Sequence, residues 1–485
     1  MITVLAFRHL LVRKVRSLFL LLGFSLGVGV MIVLLSVGQA MLEQSRDVSL
    51  VGGGEITVLP EGIDVEAMRT GGPSGMFFGI DRARFLTRQV FGGARHRDLI
   101  QSASPVVEGK LLYLQHRGGI VPVRAGGEIP SRAAAVGSGV QVIAGRWHDG
   151  PVDSSYIAPS AQQFYDELDR FHRPSQPDST WGEWHYFNVV VADDEWWYIT
   201  YLIGGEVPSG RWGGQLLATH RRPDGGYERF AAPVPASRIT FDTTRADLVL
   251  GNSSVEQRRG QYRLRARTRG VSGLLTVDLN LTPLPNRYFP PVELRDEEFV
   301  SGYVVPGLAA RASGRICVAG RCRGFRDRPA YHDHNWGVWR DITWEWGAAQ
   351  GHQLSLLYGG VYGAERRQRE RAGGVRSPFF LTVVDSSGVK QVLRFSRISY
   401  SGSRAASGRR GLTAPARFSL VATRDSDTLR LSVNVADALG TEMATSGFRR
   451  VFLQMRGSFR LAGTLLGQEV TDAGTGFFET YLIPR

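Results

Sequence analysis

Leu275-Thr276-Val277-Asp278-Leu279-Asn280-Leu281-Thr282 is the stretch that decides the fold. Side chains on a strand alternate between its two faces. Apolar residues at every second position therefore read as a half-buried strand with one wet face. Leu429, Leu431, Val433 and Val435 repeat the pattern, alternating with Arg430, Ser432 and Asn434. The offset is 429 − 275 = 154, and it holds without a gap across Arg263–Pro283 and Arg417–Asp437. A second echo pairs Trp184-His185-Tyr186 with Trp344-Glu345-Trp346 at 344 − 184 = 160. Two echoes at nearly one offset imply a duplicated all-β unit, each copy a barrel or sandwich of roughly 150 residues. Trp184–Val191, Asp193-Asp194 and Trp196–Ile203 read as an aromatic hairpin. No long amphipathic helix pattern follows residue 170.

Between the echoes lies Tyr331-His332-Asp333-His334-Asn335-Trp336-Gly337. Seven residues gather a carboxylate, two imidazoles, a phenol, an amide and an indole. On a strand, Tyr331, Asp333 and Asn335 share one face, and His332, His334 and Trp336 share the other. The parity makes two constellations rather than one cluster. Just upstream, Arg315-Ile316-Cys317-Val318-Ala319-Gly320-Arg321-Cys322 reads as a hairpin with Ala319-Gly320 at its turn. Cys317 and Cys322 then face each other one rung in, close enough for a disulfide outside the cytoplasm.

The amino terminus is of another kind. Ser17 to Leu42 carries no charged residue. As a helix rising about 1.5 Å per residue, this run exceeds the roughly 30 Å hydrocarbon core. Arg8, Arg13, Lys14 and Arg16 precede it, which places residues 1–16 in the cytoplasm and the bulk of the chain outside, in a single pass of the inner membrane. A cleaved signal peptide is the rival reading, but the apolar run is longer than the usual 7–15 residues. Gly23 and Gly27 offer a close-packing face to a second helix. Residues 46–150 mix short apolar runs with glycine, with strands expected at Gly54–Pro60, Val106–Leu114 and Ile120–Val123. The net charge of +13 comes almost wholly from scattered arginine, which argues against a nucleic-acid partner.

Two family resemblances rest on these residues. The Tyr331–Gly337 heptad, with Glu183–Phe187 upstream and Phe477–Tyr481 at the end, resembles the AttH-like and carotenoid hydratase (hydroxyneurosporene synthase) superfamily over about residues 165–485. The resemblance implies two tandem lipocalin-like β-barrels, and an activity that adds water to, or rearranges, apolar polyene or terpenoid-like molecules. It implies Asp333 as the acid and requires no cofactor. It also implies a histidine and an aromatic residue on a strand just upstream. Here no histidine lies between His220 and His332, and the stretch Gly302–Pro306 offers Tyr303. Separately, Leu5–Lys14, the apolar run and Gly54–Pro60 resemble the start of macrolide-exporter or lipoprotein-release type ABC permeases over about residues 1–150. The implied plan is a stub and anchor at 1–45, a permease-like region at 46–150, a first barrel at 165–300 and a second at 301–485. The heptad falls early in that second barrel.

The expected site has Asp333 as proton donor with Tyr331 and Asn335 beside it, facing a cavity. The ligand-binding set around it is Trp184, His185, Tyr186, His332, His334, Trp336 and Trp339. A hydrated double bond needs a strong acid and a sheltered cation. A carboxyl in an apolar pocket stays protonated near neutral pH, and aromatic faces steady the cation. The competing reading makes Asp333 a brace that accepts backbone N–H bonds. His332 and His334, two apart on one face, could chelate zinc with His185. Packing histidines are the commoner case, and no metal is expected. Two functions follow: an enzyme, hydratase or isomerase, acting on an apolar molecule or lipid, or a lipid-binding accessory subunit beside an ABC permease and its ATPase.

Overall fold

The alternation at 275–282 is built as a strand whose apolar side chains point inward. Leu275, Leu279 and Leu281 are fully buried and Val277 nearly so, while Asp278, Asn280 and Thr282 are exposed. In the computed structural model the described residues are 14–46, parts of 83–87 and 100–128, and, with short interruptions, 161–482. The chain divides into one unit of residues 1–90 and 100–157 and another of 91–99 and 158–485.

The first unit holds α1 (Lys14–Arg46) and an antiparallel hairpin, Val106–His116 with Gly119–Glu128. The strands expected at 106–114 and 120–123 fall on that hairpin. Those expected at Gly54–Pro60, with the rest of 46–99, lie outside the described residues apart from isolated positions at 83–87. α1 is 33 residues long, and most of its described apolar side chains, among them Leu22, Phe24, Leu26 and Val30, are exposed. Side chains at both ends of α1 are not described. Over the described residues no helix is long and apolar enough to cross a membrane, so the span over 17–42 stays an expectation.

The second unit begins with α2 (Ala161–Leu168), and sixteen of the strands among its described residues close into two rings. The first ring is β1 (Trp181–Ala192), β2 (Glu195–Glu206), β3 (Arg211–Arg221), β4 (Tyr227–Pro235), β5 (Gln261–Gly270), β6 (Gly273–Pro283), β7 (Phe299–Val318) and β8 (Arg321–Trp339). Each strand pairs antiparallel with the next, and β8 returns to β1 from Ala330↔Val189 to Val338↔Trp181. The second ring is β9 (Ile342–Gly351), β10 (Ser355–Gly363), β11 (Phe380–Asp385), β12 (Gly388–Arg394), β13 (Arg417–Arg424), β14 (Asp427–Thr445), β15 (Phe448–Leu465) and β16 (Gln468–Leu482), closed by β16 on β9. Each is an eight-stranded up-and-down barrel, the architecture of lipocalins. The 154-residue echo superposes β5–β6 on β13–β14, and the aromatic echo superposes β1 on β9. Each ring is weakest at one place. β4 meets β5 at the single pair Phe230↔Gly270, and β12 meets β13 at Arg394↔Thr423.

The pairing moves the join between barrels from the expected 300/301 to the two residues after Trp339. Phe299–Val318 and Arg321–Trp339 are long strands that close the first ring, so the heptad ends the first barrel rather than beginning the second. The β7–β8 turn has Ala319 and Gly320 both at positive φ, 49° and 81°, as a two-residue hairpin of this twist requires. Cys317 and Cys322 pair across it and are bonded.

Three apolar clusters hold this unit. One fills the first barrel around Phe187, Ile199, Leu264 and Leu279, and one fills the second around Leu381, Phe418, Leu431 and Phe478. The third lies between them and is aromatic: Tyr186, Tyr198, Tyr303, Tyr331, Trp346 and Phe380. Burying such a side chain stabilises by roughly 1.5–3 kcal/mol. Polar pins fix the contact. Arg221 and Tyr227 of the first barrel both donate to Asp437 of the second, at 3.0 and 2.8 Å. Arg287, between β6 and β7, donates to the Val384 carbonyl at 2.7 Å.

Candidate functional site

β8 carries the parity expected of its heptad, but its two faces are turned the other way from the sequence expectation. His332, His334 and Trp336 point into the first barrel. Tyr331, Asp333 and Asn335 point out of it, toward the second. Ring closure decides this: β1 pairs with β8, and its Phe187 and Val189 belong to the interior cluster while Tyr186 belongs to the cluster between barrels.

On the outer face Asp333 is buried. The Tyr331 hydroxyl donates to its Oδ2 at 2.7 Å, and the Asn335 amide donates to its Oδ1 at 2.7 Å. The second barrel adds Trp346, whose indole N–H donates to the Tyr331 oxygen at 3.0 Å. It also supplies Glu479 from β16. The Trp344 indole donates to Glu479 at 3.3 Å, and Gln454 donates to the Tyr186 hydroxyl at 3.1 Å. Tyr186 and Trp184 sit opposite Asp333 and Asn335 on β1, and Trp184 packs on Trp339 with centroids 4.8 Å apart. Tyr303 is opposite Asn335 on β7 and meets the edge of Trp346 at 5.1 Å. The buried amide of Asn188, opposite Tyr331, has an oxygen with no hydrogen-bond partner.

Burial pushes the Asp333 carboxyl well above its ordinary range, and the negative charge of Glu479 adds to this. The donors Tyr331 and Asn335 and the nearby His334 pull the other way and do not overcome it. Burial raises Glu479 as well, to about 7, against bonds from Trp344, Tyr186 and Gln454. Two carboxyls, one from each barrel, thus lie in a buried aromatic seam, each raised above its ordinary range.

On the inner face His332 and His334, expected to bind ligand, belong instead to a sealed polar cluster with His185. Asp169, just after α2, meets His334 Nδ1 at 2.7 Å with Oδ1 and His332 Nε2 at 3.0 Å with Oδ2. Glu183 meets His334 Nε2 at 2.8 Å and accepts from the backbone N–H of His172 at 2.8 Å. Burial favours a neutral Asp169, but His185, His332 and His334 outweigh it and hold the carboxyl low. Burial would likewise lower His334, but Asp169 and Glu183 push it up to about 10. Trp336 stacks on His172 at 3.8 Å, inside and away from Asp333. Trp184, Tyr186 and Trp339 therefore remain with the acid, and His185, His332, His334 and Trp336 do not. A cavity of the first barrel opens elsewhere, at its cysteine-hairpin end, lined by Glu195, Trp197, His220, Arg323 and Phe325 among others.

Sequence reasoning gave Glu479, Asp169 and Asn188 no role. Glu479 was visible only as part of the carboxy-terminal motif, and Asp169 belongs to none of the motifs.

No family model and no curated protein matches the chain. Solved structures resemble it at low identity. A protein provisionally called AttH, from Nitrosomonas europaea, is 16% identical, with 65% of this chain and 98% of that one covered at a TM-score of 0.43. Kievitone hydratase from Nectria haematococca is 13% identical, with 64% and 94% covered at 0.43. CghA in complex with Sch210972 is 11% identical, with 66% and 97% covered at 0.43. Likeness of this size carries no argument about activity, and none of it supports the permease resemblance of residues 1–150.

Proposed function

We propose that this chain is a membrane-tethered, extracytoplasmic two-barrel protein that binds an apolar, isoprenoid-like molecule at the seam between its barrels and protonates it with Asp333. The supporting observation is the Asp333 carboxyl itself, buried among aromatic rings, where burial pushes its pKa well above the ordinary carboxylate range. Delivery of its proton to one carbon of a C=C bond leaves a cation on the other carbon and a carboxylate at Asp333. The Tyr331 hydroxyl and Asn335 amide already donate to the two carboxylate oxygens, so the conjugate base is received without reorganisation. The faces of Tyr186, Trp184 and Trp346 steady the cation. Water adding to the cation and returning a proton to Asp333 gives hydration. Loss of a neighbouring proton to Asp333 gives isomerisation.

The tether rests on the uncharged run 17–42, which lies within α1, and on the exposed apolar side chains there. An anchor at the membrane gives access to a lipid-borne substrate. It also suits docking beside an ABC permease, as the resemblance of residues 1–150 implies. A second reading, binding without chemistry, is favoured by the stretch Gly302–Pro306, which offers Tyr303 but no histidine where the hydratase resemblance implies a histidine and an aromatic residue.

Deuterium uptake from D2O into squalene, a polyene of trisubstituted alkenes, tests the acid. The full chain in detergent should label it, and Asp333→Asn should reduce labelling at least a hundredfold. Quenching by cis-parinaric acid, an apolar polyene, should be unchanged. The amide keeps the shape, so stability should fall by less than the roughly 1.5–3 kcal/mol of a lost charge-assisted bond. A larger loss of stability with labelling unaffected would make Asp333 a brace.

A further inference from the structure

We infer that the sealed polar cluster inside the first barrel is a binding site for a first-row divalent metal ion, held by Asp169, His185 Nδ1 and His334 Nδ1. These three residues are fully buried, and their ligand atoms lie within 4.8 Å of one another. The proposal is independent of the acid at Asp333 and of the reading built on it.

The decisive atom is His185 Nδ1. The other nitrogen of that ring, Nε2, is 2.9 Å from the Ala246 carbonyl, which only accepts, so Nε2 carries the proton. Nδ1 is then a bare lone pair, fully buried, with no hydrogen-bond partner. It points toward the Asp169 carboxylate, whose Oδ2 is 3.7 Å away. A lone pair facing an anion in a dry core is repulsive, and a cation between them removes the conflict.

His334 differs in that its Nδ1 already meets Asp169 Oδ1 at 2.7 Å, but it has the matching distal partner. Its Nδ1 faces Asp169 and its Nε2 faces Glu183, so as a metal ligand through Nδ1 it would donate Nε2–H to a carboxylate. Ligating histidines characteristically donate their distal N–H to a carboxylate or a backbone carbonyl. Both rings here have that partner, Glu183 for His334 and Ala246 for His185. His332 Nε2 remains on Asp169 Oδ2 at 3.0 Å and orients it. Two imidazoles and one carboxylate suit Zn2+ or Fe2+, with a position left for water. Binding displaces the Nδ1 proton of His334 to solvent and changes no oxidation state. Phe171 closes over the site, with its centroid 4.9 Å from both His185 and His334.

The second barrel is an internal comparison. Its β9 and β16 correspond to β1 and β8, and there Thr480 and Tyr400 donate to the two oxygens of Glu345 at 2.9 and 2.7 Å. That polar group has protein partners on both oxygens, whereas the first barrel leaves a nitrogen bare.

The test is metal content of the purified full chain after incubation with Zn2+ and desalting. About one equivalent per chain should be retained, a chelator should lower the melting temperature, and Co2+ should bind in its place with visible d–d absorption. His185→Gln keeps a donor for Ala246 but replaces the imidazole nitrogen by an amide oxygen, a far weaker ligand for these ions, and should weaken binding at least a hundredfold. Asp169→Asn is the second variant if that one does not fold. The exposed His352→Ala should bind as the parent does. Substoichiometric metal in the parent, with melting indifferent to Zn2+ and chelator, would overturn the site. So would tight stoichiometric binding by folded His185→Gln.

Discussion

Glu479 shows how a single carboxyl can set the pH response of the seam. Its folded value of about 7 lies above the 4.5 of an ordinary glutamate. A group raised in the folded state binds more protons there, so its contribution is complete below pH 4.5 and is lost as pH rises to about 7. The loss is on the order of 3 kcal/mol. Glu479→Gln should therefore leave stability nearly unchanged at pH 4.5, raise it at pH 8, and flatten the slope between, measured as denaturant midpoints across that range. Gly337 sets a different constraint. A Cβ at that position would lie 1.9 Å from the Val300 carbonyl, at a φ of 155°. Gly337→Ala should part β7 from β8 beside the acid and cost on the order of 3 kcal/mol or more in thermal or denaturant unfolding.

The strands differ in how firmly their edges are held. β7 and β8 pair over most of their length, whereas β4 and β5 share one pair and β12 and β13 share one. Local opening is easiest where few bonds must break together. Native-state hydrogen exchange should be fastest at Phe230, Gly270, Arg394 and Thr423 and slowest along β7–β8. The same elements explain what the sequence made legible. β6 and β14 each have one wet face, so a period of two announced them and exposed the duplication. The heptad's parity was legible for the same reason. Which face turned inward was not, because that depends on β8 closing against β1, a contact across 150 residues with no local trace. β8 near Asp333 is buried on both faces, by the barrel core on one side and the second barrel on the other, so no polar side marks its orientation. The join after Trp339 was missed because β7 and β8, at 20 and 19 residues, are longer than the surrounding strands and read as a fresh start. Asp169 and Glu479 come to their sites from distant segments, and nothing in their own neighbourhoods signals a partner.

At the scale of the molecule, the seam is large and aromatic enough that the barrels should hold together without a covalent link. Residues 158–339 and 342–485 produced as two chains in one cell should co-purify one to one, read by gel filtration. Asp437→Ala, which removes the acceptor of Arg221 and Tyr227, should weaken the pair.

The seam has a further property. β8 touches β9 where Tyr331 meets Trp346, and β16 approaches β1 where Glu479 meets Tyr186. β1 touches β15 where Tyr186 meets Gln454, and β9 touches β7 where Trp346 meets Tyr303. Each contact recurs with the copies exchanged, which is the rule of an isologous dimer about a two-fold axis. The chain is built as a homodimer would be if its two subunits were fused. The shift 479 − 333 = 146 lays Phe477, Glu479 and Tyr481 over Tyr331, Asp333 and Asn335. Phe477 has no hydroxyl to receive a carboxylate. Broken symmetry, more than retained symmetry, then tells the two halves apart: the first keeps a hydroxyl and an amide donating to its carboxyl, and the second has a phenyl ring in place of that hydroxyl.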